Sequence, residues 1–521
     1  MPKPILASPA IRLALVVALV ATAILSPAAA GQSAAPSGGR TKPLRGSLDK
    51  RITTLLDEPP FNRVTWGVEI LDAKGKSLFH RNQEQLFVPA SVTKLIVTAT
   101  ATVLLPAGYR VRTSVYPNGT LGTGSAAGVF DGDLVLYGRG DPTFSERCFG
   151  ADTLAPGACD SAFTALDAIA ESLRAQGIRR ITGKIVGDGS YFEPTLIHPS
   201  WNAWDLNWWY AAPVSGLGFH DNSVDFHITP GTAVDQPPVI TWSPDLHLFS
   251  FENRARTVPA DSGSTIGDNF FRFPGTMSIW AEGTVALGQK PWIESFVLPD
   301  PNLYAARALA ASLQRKGIAV ESGAIGTTDS TAYAAARQRA PLTEYRGRPI
   351  ADIVFPILNT SQNWFAEMLL KILGRELRGV GSWDAGIDVE RRFLIDSVKI
   401  DSTAFALQDG SGLAAGNLVA PHAFAQLVAY MIRHPKAAPF LAALPRSGAV
   451  GSLSRRFVGT PIEGKVVAKT GSINRVNTLA GFIERSSGPI VFAVMANAHA
   501  VDGRRILAQI DSVVVETGKT K

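Results

Sequence analysis

In the apolar run FVPASVTKLIVTATATVL, residues 87–104, a lone lysine follows a serine by three positions: Ser91 and Lys94. Residues three apart share a helical face, so the Lys94 amine can reach the Ser91 hydroxyl. Burial disfavours the ammonium form and lowers its pKa. A neutral amine can then take the serine proton and make the hydroxyl a nucleophile. A second copy of the pattern, Ser47-Leu48-Asp49-Lys50, lies in a polar stretch and reads as a solvated helix start.

Serine–lysine acylation needs two more elements, an S-x-N and a K-T-G. S-x-N occurs at Ser200, Ser361 and Ser472. Order and context select Ser361-Gln362-Asn363, which follows a loop and opens the apolar run WFAEMLLKILGREL. K-T-G occurs once, at Lys469-Thr470-Gly471, ends the strand-like run KVVAKT and continues into Ser472. A strand beside the nucleophile can donate a backbone N–H to an oxyanion and pair with an extended peptide. Gly471 is expected to let the substrate backbone approach closely, and Lys469 to offer a cation to a substrate carboxylate.

The elements that must hold these residues are spread over a chain of 521 residues, too long for one ordinary core. Apolar residues make up 46% and charged residues 18%, which is globular composition. The net charge is +6 without a dense Lys/Arg block, so nucleic acid is not an expected partner. Lys3 and Arg12, the apolar run Leu13 to Leu25 and Ala28-Ala29-Ala30 form an export signal over residues 1–30. That implies a periplasmic or otherwise extracytoplasmic protein without a membrane span after cleavage. Residues 31–44 read as a flexible linker. The two cysteines, Cys148 and Cys159, suggest one disulfide closing a short loop. No HExxH, C-x-x-C or His/Cys cluster is present, so neither a metal nor a cofactor is expected.

Texture divides the chain further. Thr65 to Ile70 and the run from Leu78 read as strands joined by a turn at 72–75. After about residue 110, strand-like runs separated by Gly, Pro and Asp dominate, with a helix at Ser161 to Gln176 and another past Asp300, in NLYAARALAASLQRKG. From about Pro349 the chain turns helical, and it closes with three strand-like runs, two of them joined by a hairpin connection at Ser486-Ser487-Gly488-Pro489, and a last helix. Residues 45–110 and 345–515 are therefore expected to form one split catalytic domain, and 111–344 one or two β-rich insertions.

These motifs resemble the penicillin-binding proteins, and more closely the D-alanyl-D-alanine carboxypeptidase/endopeptidase family with two inserted domains. The resemblance spans nearly all of the mature chain. It includes GDLVLYGRGDPT, DLNWWYAAPVSGLGFHDNSVD, DGSGL at 409–413 and LPRSGAVGSLSRRFVGTP…GKVVAKTGS. It implies an α+β protein: a serine β-lactamase-like α/β/α domain with an antiparallel sheet, interrupted by β-rich insertions. It also implies an acyl-serine mechanism on peptidoglycan stem peptides and cross-links, and covalent capture of β-lactam antibiotics. Ser91 is then the nucleophile and Lys94 its base. Ser361 relays protons with Lys94, and Asn363 orients the substrate amide. Lys469, Thr470 and Ser472 hold the terminal carboxylate, and the Ser91 and Ser472 N–H groups form the oxyanion hole. Asp141, in GRGDPT, matches an aspartate that holds a side-chain ammonium of the stem peptide. Ala414 and Ala415 stand where many relatives have Ser-Arg, and Val92 where asparagine is frequent. A β-lactamase would share the three motifs without needing the long insertion. An α/β-hydrolase esterase would need a G-x-S-x-G elbow, which is missing. A wall-binding protein with a decayed site is opposed by the intact motif residues.

Overall fold

The structure, a computed structural model, describes residues 46–145, 161–273 and 276–520. The expected signal, the linker and the Cys148–Cys159 pair lie outside the described residues.

A five-stranded antiparallel sheet is assembled from both ends of the chain. Its strands are β1 (Thr65–Leu71), β2 (Ser77–Arg81), β3 (Val466–Ile473), β4 (Val476–Ile483) and β5 (Ile490–Asn497). Their spatial order is β2-β1-β5-β4-β3, so the K-T-G strand β3 is an edge. Strands β4 and β5 are buried along their whole length because helices cover both faces. On one face Trp66, Val68, Ile70, Phe492 and Val494 meet Ile52 and Leu56 of the Leu48–Asp57 helix and Ile506, Ile510 and Val513 of the Gly503–Gly518 helix. On the other, Val467, Phe482, Val491, Ala493 and Met495 pack into a larger cluster. That cluster is built on the helices Lys94–Leu104, Ile350–Asn359, Asn363–Arg378 and Pro421–Arg433. The period-2 alternation of the strands thus divides their side chains between two helical layers.

Between these parts the chain builds mainly strands. The long strand Arg110–Leu121 pairs antiparallel with Val129–Gly138 and with Thr343–Pro349 within one mixed sheet of seven strands. The Ile185–Asp188 strand joins it in parallel. Trp292–Val297, Ser223–Thr229 and Val239–Ser243 form a separate three-stranded sheet, in that order. A helix at Thr164–Ala175 and another at Pro301–Arg315 pack into the same core.

Candidate active site

Ser91, the expected nucleophile, sits on a 3₁₀ turn, Ala90–Thr93, that runs directly into the Lys94–Leu104 helix. The turn is pinned from the sheet. The Asn497 side chain, at the end of β5, accepts from Val88 N–H (2.8 Å) and donates to Val88 C=O (3.1 Å). Thr478 on β4 donates to Pro89 C=O at 2.7 Å. Ala90 is held at φ 48°, a strained conformation for a residue with a Cβ. That strain lies immediately before Ser91.

Lys94 is fully buried. Its Nζ donates to Ser91 Oγ at 2.8 Å, Asn363 Oδ1 at 2.7 Å and Ser411 C=O at 2.7 Å. Three acceptors match the three protons of an ammonium, and one of them is the Ser91 hydroxyl. Burial pulls its pKa from 10.5 down to about 7, against the opposing charges of Asp409 and Glu367. Near neutrality the amine is therefore poised to take a proton.

Asn363 opens the Asn363–Arg378 helix, with Gln362 as its N-cap. Both ends of the Asn363 amide are engaged, Oδ1 by Lys94 and Nδ2 by Tyr210 C=O at 2.7 Å. Ser361 precedes the cap at φ 68°. Its hydroxyl accepts from Lys469 Nζ at 2.8 Å, so its hydrogen-bonded lysine here is Lys469 rather than Lys94. Lys469 also donates to Thr470 C=O at 2.7 Å. Burial, and then the charge of Lys94, hold its pKa well below the usual lysine range. Thr470 Oγ1 bonds Ser452 Oγ at 3.0 Å, and Ser472 Oγ accepts from Asn477 Nδ2 at 2.8 Å.

The outer edge of β3 is identified by its pairing. Val466 C=O accepts from Ser447 N–H, and Ala468 N–H donates to Pro445 C=O. Alternate residues share one edge, which places the Thr470 and Ser472 N–H groups on the same outer side. Gly471 differs from expectation. A Cβ there would lie 2.2 Å from Thr478 Oγ1, 2.7 Å from Pro89 O and 3.1 Å from Ser91 N. The glycine therefore makes room for the turn that carries Ser91.

The DGSGL loop supplies a partner whose role sequence alone left unassigned. Asp409 accepts from Gly412 N–H, Ala414 N–H and Asn417 Nδ2 and from Trp201 Nε1. Glu367, one turn beyond Asn363, accepts from Ser411 N–H at 2.7 Å, Gly410 N–H at 3.1 Å and Trp383 Nε1 at 2.8 Å. Burial and the Asp409 charge push its carboxyl up to about 7. The two buried carboxyls fix the loop whose Ser411 carbonyl meets Lys94. A glutamate inside the apolar run WFAEMLL carries the same signal as Lys94, a charge kept where burial penalises it. Ala414 is buried and Ala415 exposed. Asp141 Oδ1 accepts from the N–H and hydroxyl of Thr143, capping the turn after Val129–Gly138. Ser47 Oγ accepts from Lys50 N–H on the surface, as a helix cap.

Residues 48–517 match the D-Ala-D-Ala carboxypeptidase 3 (S13) family. The chain belongs to that family. It is 29% identical over 492 residues to a D-alanyl-D-alanine carboxypeptidase of Actinomadura sp. (strain R39), covering 92% of this chain and 85% of that one. It is 26% identical over 483 residues to carboxypeptidase DacB of Mycolicibacterium smegmatis, covering 91% and 85%. The crystal structure of penicillin binding protein 4 (dacB) from Haemophilus influenzae superposes with a TM-score of 0.76 at 20% identity, covering 90% of this chain and 99% of that one. The S13 protein is thus an α+β hydrolase of the peptidase class with the penicillin-binding-protein fold. Among its described residues, no helix is long and apolar enough to cross a membrane.

Proposed function

We propose that this S13 protein is a serine-type D-alanyl-D-alanine carboxypeptidase and D,D-endopeptidase of the exported cell-wall machinery. The observation that carries the reading is the buried Lys94 amine 2.8 Å from Ser91 Oγ, beside the Thr470–Ser472 end of the edge strand β3. Ser91 Oγ attacks the carbonyl carbon between two D-alanines while its proton passes to Lys94 Nζ. The carbonyl oxygen becomes an oxyanion facing the N–H groups of Ser91 and Ser472. The C–N bond then breaks, the departing amine takes a proton, and an acyl-serine ester remains. Water cleaves that ester, regenerating Ser91. Lys469, Thr470 and Ser472 bind the terminal carboxylate, with Ser361 fixing the Lys469 ammonium. Asn363 holds Lys94 in place and, through Lys94, the nucleophile.

The same acylation by a β-lactam gives a lasting adduct, a reading supported by a β-lactam complex of the Haemophilus influenzae protein. On this reading residues 45–110 and 345–515 form the catalytic part, 111–344 the insertion, and Asp141 a substrate contact from that insertion. Export is supported by the charged start, apolar run and A-x-A triplet of the first 30 residues. Incubation with purified muropeptides tests the activity. Release of D-alanine and conversion of cross-linked dimers to monomers are expected, and neither product would sink the reading.

A further inference from the structure

Three consecutive residues, His220, Asp221 and Asn222, have φ of 52°, 51° and 54°. L-residues visit this left-handed region singly, not in runs, and these three are buried. Such a segment persists only where its surroundings over-determine it. What surrounds it is the start of the Asn363 helix. Asp221 Oδ2 accepts from Gln362 Nε2 at 2.7 Å, in a buried pair. Gln362 Oε1 accepts from Trp364 N–H at 3.1 Å, so one side chain both caps the helix and meets the left-handed turn. Asn222 donates from Nδ2 to Pro213 C=O at 2.7 Å, and Trp364 Nε1 donates to the same carbonyl at 3.0 Å. Asn363 Nδ2 reaches Tyr210 C=O at 2.7 Å. Gly218 leaves space for the Trp364 ring, which a Cβ there would meet at 2.4 Å.

Most of these contacts fall on Gln362, Asn363 and Trp364. Gln362 lies between Ser361, whose hydroxyl meets Lys469, and Asn363, whose carbonyl oxygen meets Lys94. Ser361 is itself left-handed, a conformation that the adjoining residue must help to hold. We infer that Asp221 and Gln362 are positioning residues, a hydrogen-bonded clamp by which the 210–222 tract fixes Ser361 and Asn363 against the two lysines. The inference rests on the acyl-serine reading above. It gives the middle of the chain a direct part in acylation: the S-x-N element is held in register by a tract more than 130 residues upstream, and the two ends of the chain alone do not complete the site.

The test uses the full chain and a fluorescent penicillin, reading the acylation rate and the melting temperature. Gln362→Glu sets a carboxylate against Asp221 and should slow acylation on the order of a hundredfold, the typical cost of a misplaced catalytic group. Combining it with Asp221→Asn restores the bond with reversed polarity and should recover the rate to within about tenfold of wild type. Gln362→Met removes the bond without adding charge and should slow acylation roughly tenfold in a protein that still melts cooperatively. A Gln362→Met variant as fast as wild type would overturn the inference. So would a folded double variant no faster than Gln362→Met, and this pair decides the matter even where Gln362→Glu alone does not fold. A wild type that is never acylated would instead sink the acyl-serine reading.

Discussion

The proton affinity of Lys94 controls the proposed chemistry, and its dependence on pH can be worked out from the site. Burial lowers the pKa from 10.5 to about 7, with Asp409 and Glu367 opposing that shift. Only the neutral amine accepts the Ser91 proton. At pH 6 about one tenth of the molecules carry it, and at pH 8 about nine tenths. A solvated lysine would offer roughly three in ten thousand at pH 7. The second-order acylation rate should therefore fall tenfold per pH unit below about 7 and level off above it. Stopped-flow acylation by a fluorescent penicillin between pH 5 and 9 measures this limb. Asp409→Asn removes a charge that raises the Lys94 pKa, so the limb should move to lower pH whatever happens to the amplitude. A profile flat from pH 5 to 8, or still rising tenfold per unit above pH 9, would refute the reasoning. So would a limb that Asp409→Asn moves upward.

Other substitutions separate packing from chemistry. Gly471→Ala places a methyl against Pro89 O and Ser91 N, and should slow acylation at least about tenfold by displacing the nucleophile; an unchanged rate would mean that the turn is free to move. Lys469→Met removes the partner of Ser361 and the proposed carboxylate cation. Carboxypeptidase turnover should drop by on the order of a hundredfold or more while the melting temperature holds or rises, because a desolvated amine is gone. Glu390 is buried with no hydrogen-bond partner among the described residues for either carboxyl oxygen, and burial with its acidic neighbours Glu367 and Asp409 raises its pKa well above 4.5. Its folded form holds a proton that the unfolded chain releases above 4.5, so wild-type stability falls as pH rises beyond that point. Glu390→Met should stabilise the fold by about 1–3 kcal/mol, with a larger gain at pH 8 than at pH 4; denaturant unfolding at the two pH values reads the difference.

Local elements were legible wherever one face of the pattern was decisive. The run NLYAARALAASLQRKG reads as a helix and forms one at Pro301–Arg315. Ser486-Ser487-Gly488-Pro489 reads as a hairpin connection and joins β4 to β5. The Ser91–Lys94 contact follows from three-residue spacing in an apolar run. What spacing cannot supply is contact between distant segments. Nothing in Ser361-Gln362-Asn363 tells that Ser361 meets Lys469 while Asn363 meets Lys94, since that choice depends on the left-handed φ at Ser361. The part of Gly471 was legible as a need for space, but its neighbour, the Pro89–Ser91 turn, is set by sheet order. Asn497 and Thr478 were invisible as site residues because each acts by pinning backbone at positions 88 and 89, a job that many polar residues could do.

Everything proposed for this site depends on Ser91 being an acylating nucleophile. Intact-protein mass spectrometry after brief exposure to benzylpenicillin, on wild type and Ser91→Ala, tests it most directly. Wild type should carry a lasting adduct of one penicillin and the variant none. An unmodified wild type with the antibiotic intact, or an equal adduct on Ser91→Ala, would contradict it.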